Sequence, residues 1–287
     1  MKIAISAEST VDIQKELLQQ YDISVLPYGI TLGDKSYFDG EIKAEEIYAY
    51  TAKTKVLPKT NAVNEFEFTE HFENLLKDHD AIVHVSLSSC MSSAYEHAKS
   101  AASKLNNVFV VDSRTLSTGI ALLCIYGRVL ANEGKTAEEI FNILEGRKQY
   151  LQVSFVLDTL EYLRKGGRCS ALVAFGANLL KIHPRIIVKD GKMTNDRKYR
   201  GNIESVVNSY VKDTLKDYPN ADKSIIFITY SSSDMGNIVE NVRAELTANG
   251  FTNILTSTAN STVSSHCGPN TLGILYFNDG DKTTTLK

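Results

Sequence analysis

Residues 81–105 read AIVHVSLSSCMSSAYEHAKSAASKL. The run from Ala81 to Leu87 is short, apolar and rich in valine and isoleucine, the pattern of a buried parallel strand. From Ala94 onward, alanines and a leucine recur at helical spacing with strong helix formers between them. Four serines, Ser88, Ser89, Ser92 and Ser93, occupy the junction. A strand that runs through such a turn into a helix places hydroxyls and unpaired backbone N–H groups at the helix start. The helix dipole adds partial positive charge there, so the place favours an anion. In an open α/β sheet these turns line the crevice at the carboxyl ends of the strands. Helix capping is the simpler reading of one serine, since Ser92 is a good N-cap.

The same alternation continues on both sides. Lys2 to Ser6 reads as a strand, with Ser9 or Thr10 as cap of a helix through Leu17 and Leu18. Ile23 to Leu32 reads as one strand, followed by the turn signals of GDKSYFDG. A helix is expected from Ala44 to about Lys53, then a loop VLPKTNAVNE, then a helix capped by Asn64 that carries Phe68, Phe72, Leu75 and Leu76. Val108 to Val111 is another short buried strand. Helices follow from Leu116 to Asn132 and from Thr136 to Tyr150, the second opened by the capping box Thr136/Glu139. Strands alternating with helices predict an N-terminal α/β/α domain on a parallel sheet over residues 1–150.

Residues 151–287 read as a second α/β domain with a mixed sheet. VSFVLD is a strand, TLEYLRKGGRCS a short helix ending at two glycines, and Ala171 to Leu180 an apolar helix. HPRIIVKDGKM reads as a strand with an Asp190-Gly191 turn, hence antiparallel pairing. Ile203 to Leu215 is an amphipathic helix. SIIFITYS, a helix after Ser233 and NILTST form a β-α-β unit. HCGPNTLGILYF closes the chain with a turn and a strand.

Composition bounds the partners. A hydrophobic fraction of 43% supports a real core, and the net charge of −3 gives no electrostatic case for nucleic acid. Cys90, Cys124, Cys169 and Cys267 form no C-x-x-C pair and match no zinc spacing, so free thiols in a reducing compartment are expected. MKIAISAEST turns polar too soon for a signal peptide, and no run reaches the ~20 apolar residues of a membrane span. A cytoplasmic location is the expectation.

Three features besides the serine turn carry polar chemistry. His266 stands beside a glycine and a proline that restrict the main chain. Thr60 lies in the loop after Pro58, and Arg168 follows Gly166 and Gly167. Serine and histidine raise the reading of an acyl hydrolase using Ser92 and His266, but the nucleophile elbow G-x-S-x-G is absent. Walker A and G-x-G-x-x-G motifs are absent as well, which leaves nucleotide binding unsupported.

Taken together, these segments resemble the DegV family of fatty-acid-binding proteins, whose functional name is FakB. The family's D-S-T-x-D reads here as Glu8, Ser9, Thr10, Val11, Asp12. Its S-S-G-L-S-G-T-Y turn runs from Ser88 to Tyr95, and its V-D-S with a following S-x-G falls at Val111 to Ser113 and Ser117 to Gly119. L-x-Y-L-x-K-G-G-R-I-S is nearly whole from Leu160 to Ser170, L-L-x-I-K-P reads Leu179 to Pro184, and H-x-G-P-G-x-x-G runs from His266 to Gly273. The ordered set is specific where each motif alone is weak. Departures lie at Cys90 and Ser93, which replace two glycines, and in the loop Thr60 to Asn64, which keeps only the threonine of T-S-Q-P-S.

The resemblance implies one long-chain fatty acid bound between and within two domains. Its carboxylate would meet Ser92, the Ser93 N–H, Thr60 and His266. It further implies a carrier without catalysis or cofactor that presents the acid to a fatty acid kinase, whose acyl-phosphate feeds phospholipid synthesis. Arg168 near the mouth and Arg200 match basic positions for kinase contact, and a carrier of lipid admits transient membrane contact. The helix of Phe68, Phe72 and Leu75 is a candidate tunnel wall.

Overall fold

The computed structural model describes residues 1–170 and 182–283. The expected helix over 171–180, and Leu179 to Lys181 of the family pattern, lie outside the described residues.

In chain order the first half runs β1 (Ile3–Glu8), α1 (Lys15–Gln20), β2 (Ile23–Leu26), β3 (Gly29–Leu32), β4 (Lys35–Phe38), α2 (Ala44–Thr54), β5 (Lys59–Asn61), α3 (Glu65–Leu76), β6 (Ala81–Ser86), α4 (Ala94–Ala102), β7 (Val108–Asp112), α5 (Thr118–Asn132) and α6 (Ala137–Arg147). Strands β2-β1-β6-β7 form an all-parallel sheet. β1 and β6 are buried at every residue, as a sheet covered on both faces requires. A small antiparallel sheet β4-β3-β5 stands beside it.

The second half runs β8 (Leu151–Val156), α7 (Glu161–Gly166), β9 (Ile182–Lys189), β10 (Lys192–Arg200), α8 (Ile203–Asp217), β11 (Ile226–Tyr230), α9 (Gly236–Ala248), β12 (Ile254–Thr258), α10 (Ser261–Cys267) and β13 (Leu272–Phe277). Its six strands are ordered β10-β9-β8-β13-β11-β12, with β11 and β12 parallel and the other neighbours antiparallel. The mixed sheet follows from the chain's own turns, since Asp190 and Gly191 reverse β9 into β10.

Helix α5 joins the halves. It is apolar on all sides and buried along nearly its whole length, and it packs on β1 and β6 of one sheet and on β8 and β13 of the other. A helix without a polar face belongs between two layers. One continuous core therefore runs from Ile5 and Val83 through Ile120 and Leu123 to Val153 and Leu275. A second core lies beneath α8 and α9, on the outer face of the mixed sheet.

Four local expectations are corrected. Ser9 and Thr10 cap no helix; Ser9–Val11 is a single 3-10 turn and α1 begins only at Lys15. The Ser9 hydroxyl instead donates to Asp39 and accepts the Tyr28 N–H. Residues 23–32 are two strands, because Pro27 offers no N–H to continue a ladder and the chain leaves the parallel sheet there. The loop after Pro58 contains edge strand β5, made by pairing to β3 rather than by its own pattern. HCGPNTLGILYF is more than a turn and a strand: His266 stands just before the Gly268-Pro269 turn, as expected, but it and Cys267 end a helix, α10. Serine and threonine are weak helix formers, so STVSSHC carries no local helical signal. Among the described residues the four cysteines form no disulfide. Among the described residues, no helix is long and apolar enough to cross a membrane.

Candidate functional site

The serine turn is tied down from three sides. From β1, Glu8 accepts from Ser86 Oγ at 2.6 Å and from the Leu87 N–H at 3.0 Å. From β7, Asp112 accepts from the Ser89 N–H and hydroxyl at 3.1 and 2.6 Å. From the β9–β10 turn, the Gly191 carbonyl accepts from Ser88 Oγ at 2.7 Å. Ser88 and Ser89 are thereby spent on structure, and Ser92 and Ser93 are left at the cavity wall. Ser93 occupies the N-cap position of α4, yet it is Ser92 Oγ that accepts the Ala94 N–H, at 3.2 Å. Ser92 Oγ also lies 2.8 Å from Tyr28 Oη. Burial pushes the Tyr28 phenol up, so it keeps its proton.

The opposite wall comes from α10 and β5. His266 Nε2 lies 2.9 Å from Thr60 Oγ1. Among the described residues, Nδ1 of the ring is buried with no hydrogen-bond partner. Burial first, and the Arg168 charge second, lower the His266 pKa from 6.5 to about 4, so the imidazole is neutral at pH 7. A Cβ on Gly166 would stand 2.5 Å from His266 Nδ1. The last residue of α7 must therefore lack a side chain for the ring to lie where it does. Gly268 beyond α10 has φ +76°, and a Cβ there would meet the Tyr162 ring at 2.7 Å. These two glycines explain the K-G-G-R and H-C-G-P stretches as a pair of close approaches around one histidine.

Between the walls lies a cavity of about 450 Å³, within the usual size of small-ligand sites. Tyr28, Thr60, Ser92, Ser93, Arg168 and His266 line its polar part, and Leu87, Met91, Leu116, Leu163, Met193 and Val263 its apolar part. Both halves of the chain contribute to each part. A second void of about 30 Å³ lies behind Leu116, Val263 and Cys267, which face both spaces.

Thr60, Ser92, Ser93 and His266 thus converge, and Arg168 lies with them. Arg168 is exposed and donates to the Gly166 carbonyl at 2.8 Å. Arg200 stands exposed at the end of β10, opposite Ile182, and does not line this cavity. Phe68 and Phe72 are fully buried in the first core and form no part of the wall. Ser92 and His266 share no hydrogen bond; each is held by another residue, and no carboxylate orients the histidine. That differs from a nucleophile, base and orienter in series.

The sequence pattern of the DegV family matches residues 2–279. The chain belongs to the DegV family. A DegV domain-containing protein of Caldanaerobacter subterraneus subsp. tengcongensis is 31% identical over 280 residues, covering 96% of this chain and 98% of that one. Among solved structures, the fatty-acid-binding DegV family protein of Thermus thermophilus superposes with a TM-score of 0.89 at 25% identity, covering 97% of this chain and 100% of that one. The Streptococcus pneumoniae Fatty Acid Kinase (Fak) B3 protein, loaded with linoleic acid, superposes with a TM-score of 0.83 over 97% of this chain and 100% of that one. Its identity is 18%, so that likeness is one of fold.

Three residues of this DegV site were missed in the sequence: Thr10, Tyr28 and His97, all of which line the cavity. Thr10 sits inside the Glu8–Asp12 motif, where its local pattern is that of a helix cap. Tyr28 fell inside a supposed single strand, where nothing signals that its hydroxyl turns inward. His97 belongs to α4, five residues after Ser92. Its ring nitrogen Nδ1 donates to the Val63 carbonyl at 2.8 Å.

Proposed function

We propose that this DegV protein binds one long-chain fatty acid in the 450 Å³ cavity, with the carboxylate held between the two halves by Thr60, Ser92, Ser93 and His266. The observation that carries the reading is that the hydroxyls of Tyr28, Thr60, Ser92 and Ser93 and the His266 imidazole line the same cavity as the apolar side chains of Leu87, Met91, Leu116, Leu163, Met193 and Val263. Hydrogen-bond counting supports it. Ser92 Oγ has two lone pairs and one proton. The Ala94 N–H takes one lone pair, and the Tyr28 phenol, donating, takes the other. The Ser92 proton is then free for an anion. On the facing wall a neutral His266 that donates from Nε2 to Thr60 Oγ1 frees the Thr60 proton for the same anion.

The energies favour such a ligand. A carboxylate out of water is costly unless donors replace its hydration, and the polar wall supplies them. Each buried CH₂ contributes ~0.8 kcal/mol, so a sixteen-carbon tail supplies roughly 10 kcal/mol before ordering costs. The family resemblance extends the reading. The protein acts as a non-catalytic, cytoplasmic carrier that presents the acid to a fatty acid kinase, with Arg168 and Arg200 on the contact face and phospholipid synthesis as the outlet. The test has two parts. Mass spectrometry of a lipid extract of the purified protein is expected to find a long-chain fatty acid in near-stoichiometric amount. A fatty acid kinase with ATP is expected to form acyl-phosphate only when the loaded protein is present. Protein that is lipid-free and takes up no added fatty acid contradicts the proposal.

A further inference from the structure

The motif Glu8 to Asp12 is only partly explained by the cavity, which it touches at Thr10 alone. Its last residue, Asp12, is fully buried and adopts φ 53°, a conformation costly for any side chain. Its carboxylate accepts from the Asn260 N–H at 2.8 Å and from Ser117 Oγ at 2.6 Å. Its carbonyl accepts from Ser257 Oγ. Asp39 accepts from the Thr262 N–H at 3.2 Å and from Ser9 Oγ at 2.8 Å. The start of α10 is therefore capped by two carboxylates that lie 248 and 223 positions earlier in the chain.

Asn260, the N-cap residue of α10, would ordinarily cap its own helix. It does not: its side-chain amide donates to the Ser9 carbonyl at 2.8 Å instead. Ser261 Oγ donates to the Ile42 carbonyl. A seven-residue helix of serine and threonine has little tendency to hold itself. The N–H groups of Asn260 and Thr262 at its start are met by carboxylates from the first half of the chain, which also face the positive end of its dipole. His266 lies four residues after Thr262, on the same face and about 6 Å along the axis.

We propose that Asp12 and Asp39 are positioning residues, which seat α10 against the first half of the chain so that the His266–Thr60 pair meets the ligand carboxylate. The carboxylate site is then assembled only where the two halves are docked at these aspartates. The proposal rests on the reading that this pair faces a carboxylate, and the experiment separates the two claims.

Affinities for palmitate and for 1-hexadecanol, which shares the tail and lacks the anion, are measured on the full chain and on Asp12→Ala, Asp39→Ala, Asp12→Asn and Asp39→Asn. Both alanine variants are expected to weaken palmitate by about tenfold, the effect of one disturbed hydrogen bond to a charged group. Hexadecanol is expected to stay within about twofold. Asp39→Asn retains an acceptor for the Thr262 N–H and is expected to restore most of the preference for acid over alcohol. Unchanged preference in the alanine variants overturns the proposal, and so does an equal loss for both ligands, which marks a structural role only. If Asp12→Ala does not fold, Asp39→Ala and the two asparagine variants decide the matter by the same criteria. A wild type that binds both ligands equally overturns the carboxylate reading itself and this inference with it.

Discussion

His266 Nε2 lies 2.9 Å from Thr60 Oγ1, although 206 positions separate them. The contact spans the two halves of the chain, because α10 leaves the mixed sheet to lie against β3 and β5.

The imidazole should report it. His266 is expected to titrate near pH 4 in an NMR titration of its ring signals. Burial is the larger cause and Arg168 the smaller. Arg168→Ala is therefore expected to raise the value yet leave it below the ordinary 6.5. The sign for stability follows. Below pH 6.5 the unfolded chain takes up a proton that the native ring refuses until about pH 4, so this residue destabilises the fold as pH falls through that window. His266→Gln should remove that part of the slope of urea midpoint against pH. A native value near 6.5 would contradict the burial argument.

Gly166→Ala separates site from fold. Gly166 is the last residue of α7, where alanine's better helix propensity counts little, and displacing a buried ring costs about 1–3 kcal/mol, so thermal stability should fall modestly while the chain still folds. The new Cβ stands 2.5 Å from His266 Nδ1, and the ring must move. Fatty-acid affinity is expected to drop about tenfold, the loss of one charge-assisted hydrogen bond. Unchanged affinity in a titration would show that the ring's place is immaterial.

Much of this architecture could be read in advance, and the misses share a cause. The strand and helix around the serine turn, the cap at Asn64, the capping box at Thr136, and the Asp190-Gly191 reversal are local, set by residues within one turn of each other. β5 and α10 are not. Lys59 to Asn61 become a strand only because β3 lies beside them, and α10 draws its caps from Asp12 and Asp39. Thr60, Arg168, His266 and the serine turn stand out in the sequence one by one as polar features, and the family's ordered motifs, which carry long-range structure that periodicity cannot, are what join them in one expected site. Tyr28 and His97 matched no motif and were missed.

Leu116 separates the main cavity from the small void behind it. Leu116→Ala should join the two and cost about 2–5 kcal/mol of stability, as large-to-small core changes do. Competition between acids of different length should then favour longer chains than in the wild type. An unaltered order of preference would mean that the tail does not reach this wall.

Arg168 is exposed and donates to the Gly166 carbonyl. Arg168→Ala is expected to keep palmitate affinity within about threefold, since exposed charges contribute little. Kinase-dependent formation of acyl-phosphate is expected to fall by tenfold or more, the scale of one charge-assisted contact. Equal losses in the two assays would place the arginine in the lipid site instead.

The most direct test of the central claim is the palmitate affinity of Ser92→Ala, His266→Ala and the double variant, measured by titration calorimetry on delipidated protein. Each single change is expected to weaken binding about ten- to a hundredfold: Ser92→Ala removes a donor to the carboxylate, and His266→Ala releases the Thr60 hydroxyl that it orients as the other donor. The double variant is expected to lose less than the sum if Ser92 and the His266–Thr60 pair serve one carboxylate. Wild-type affinity in both single variants would contradict a carboxylate held between Ser92 and His266.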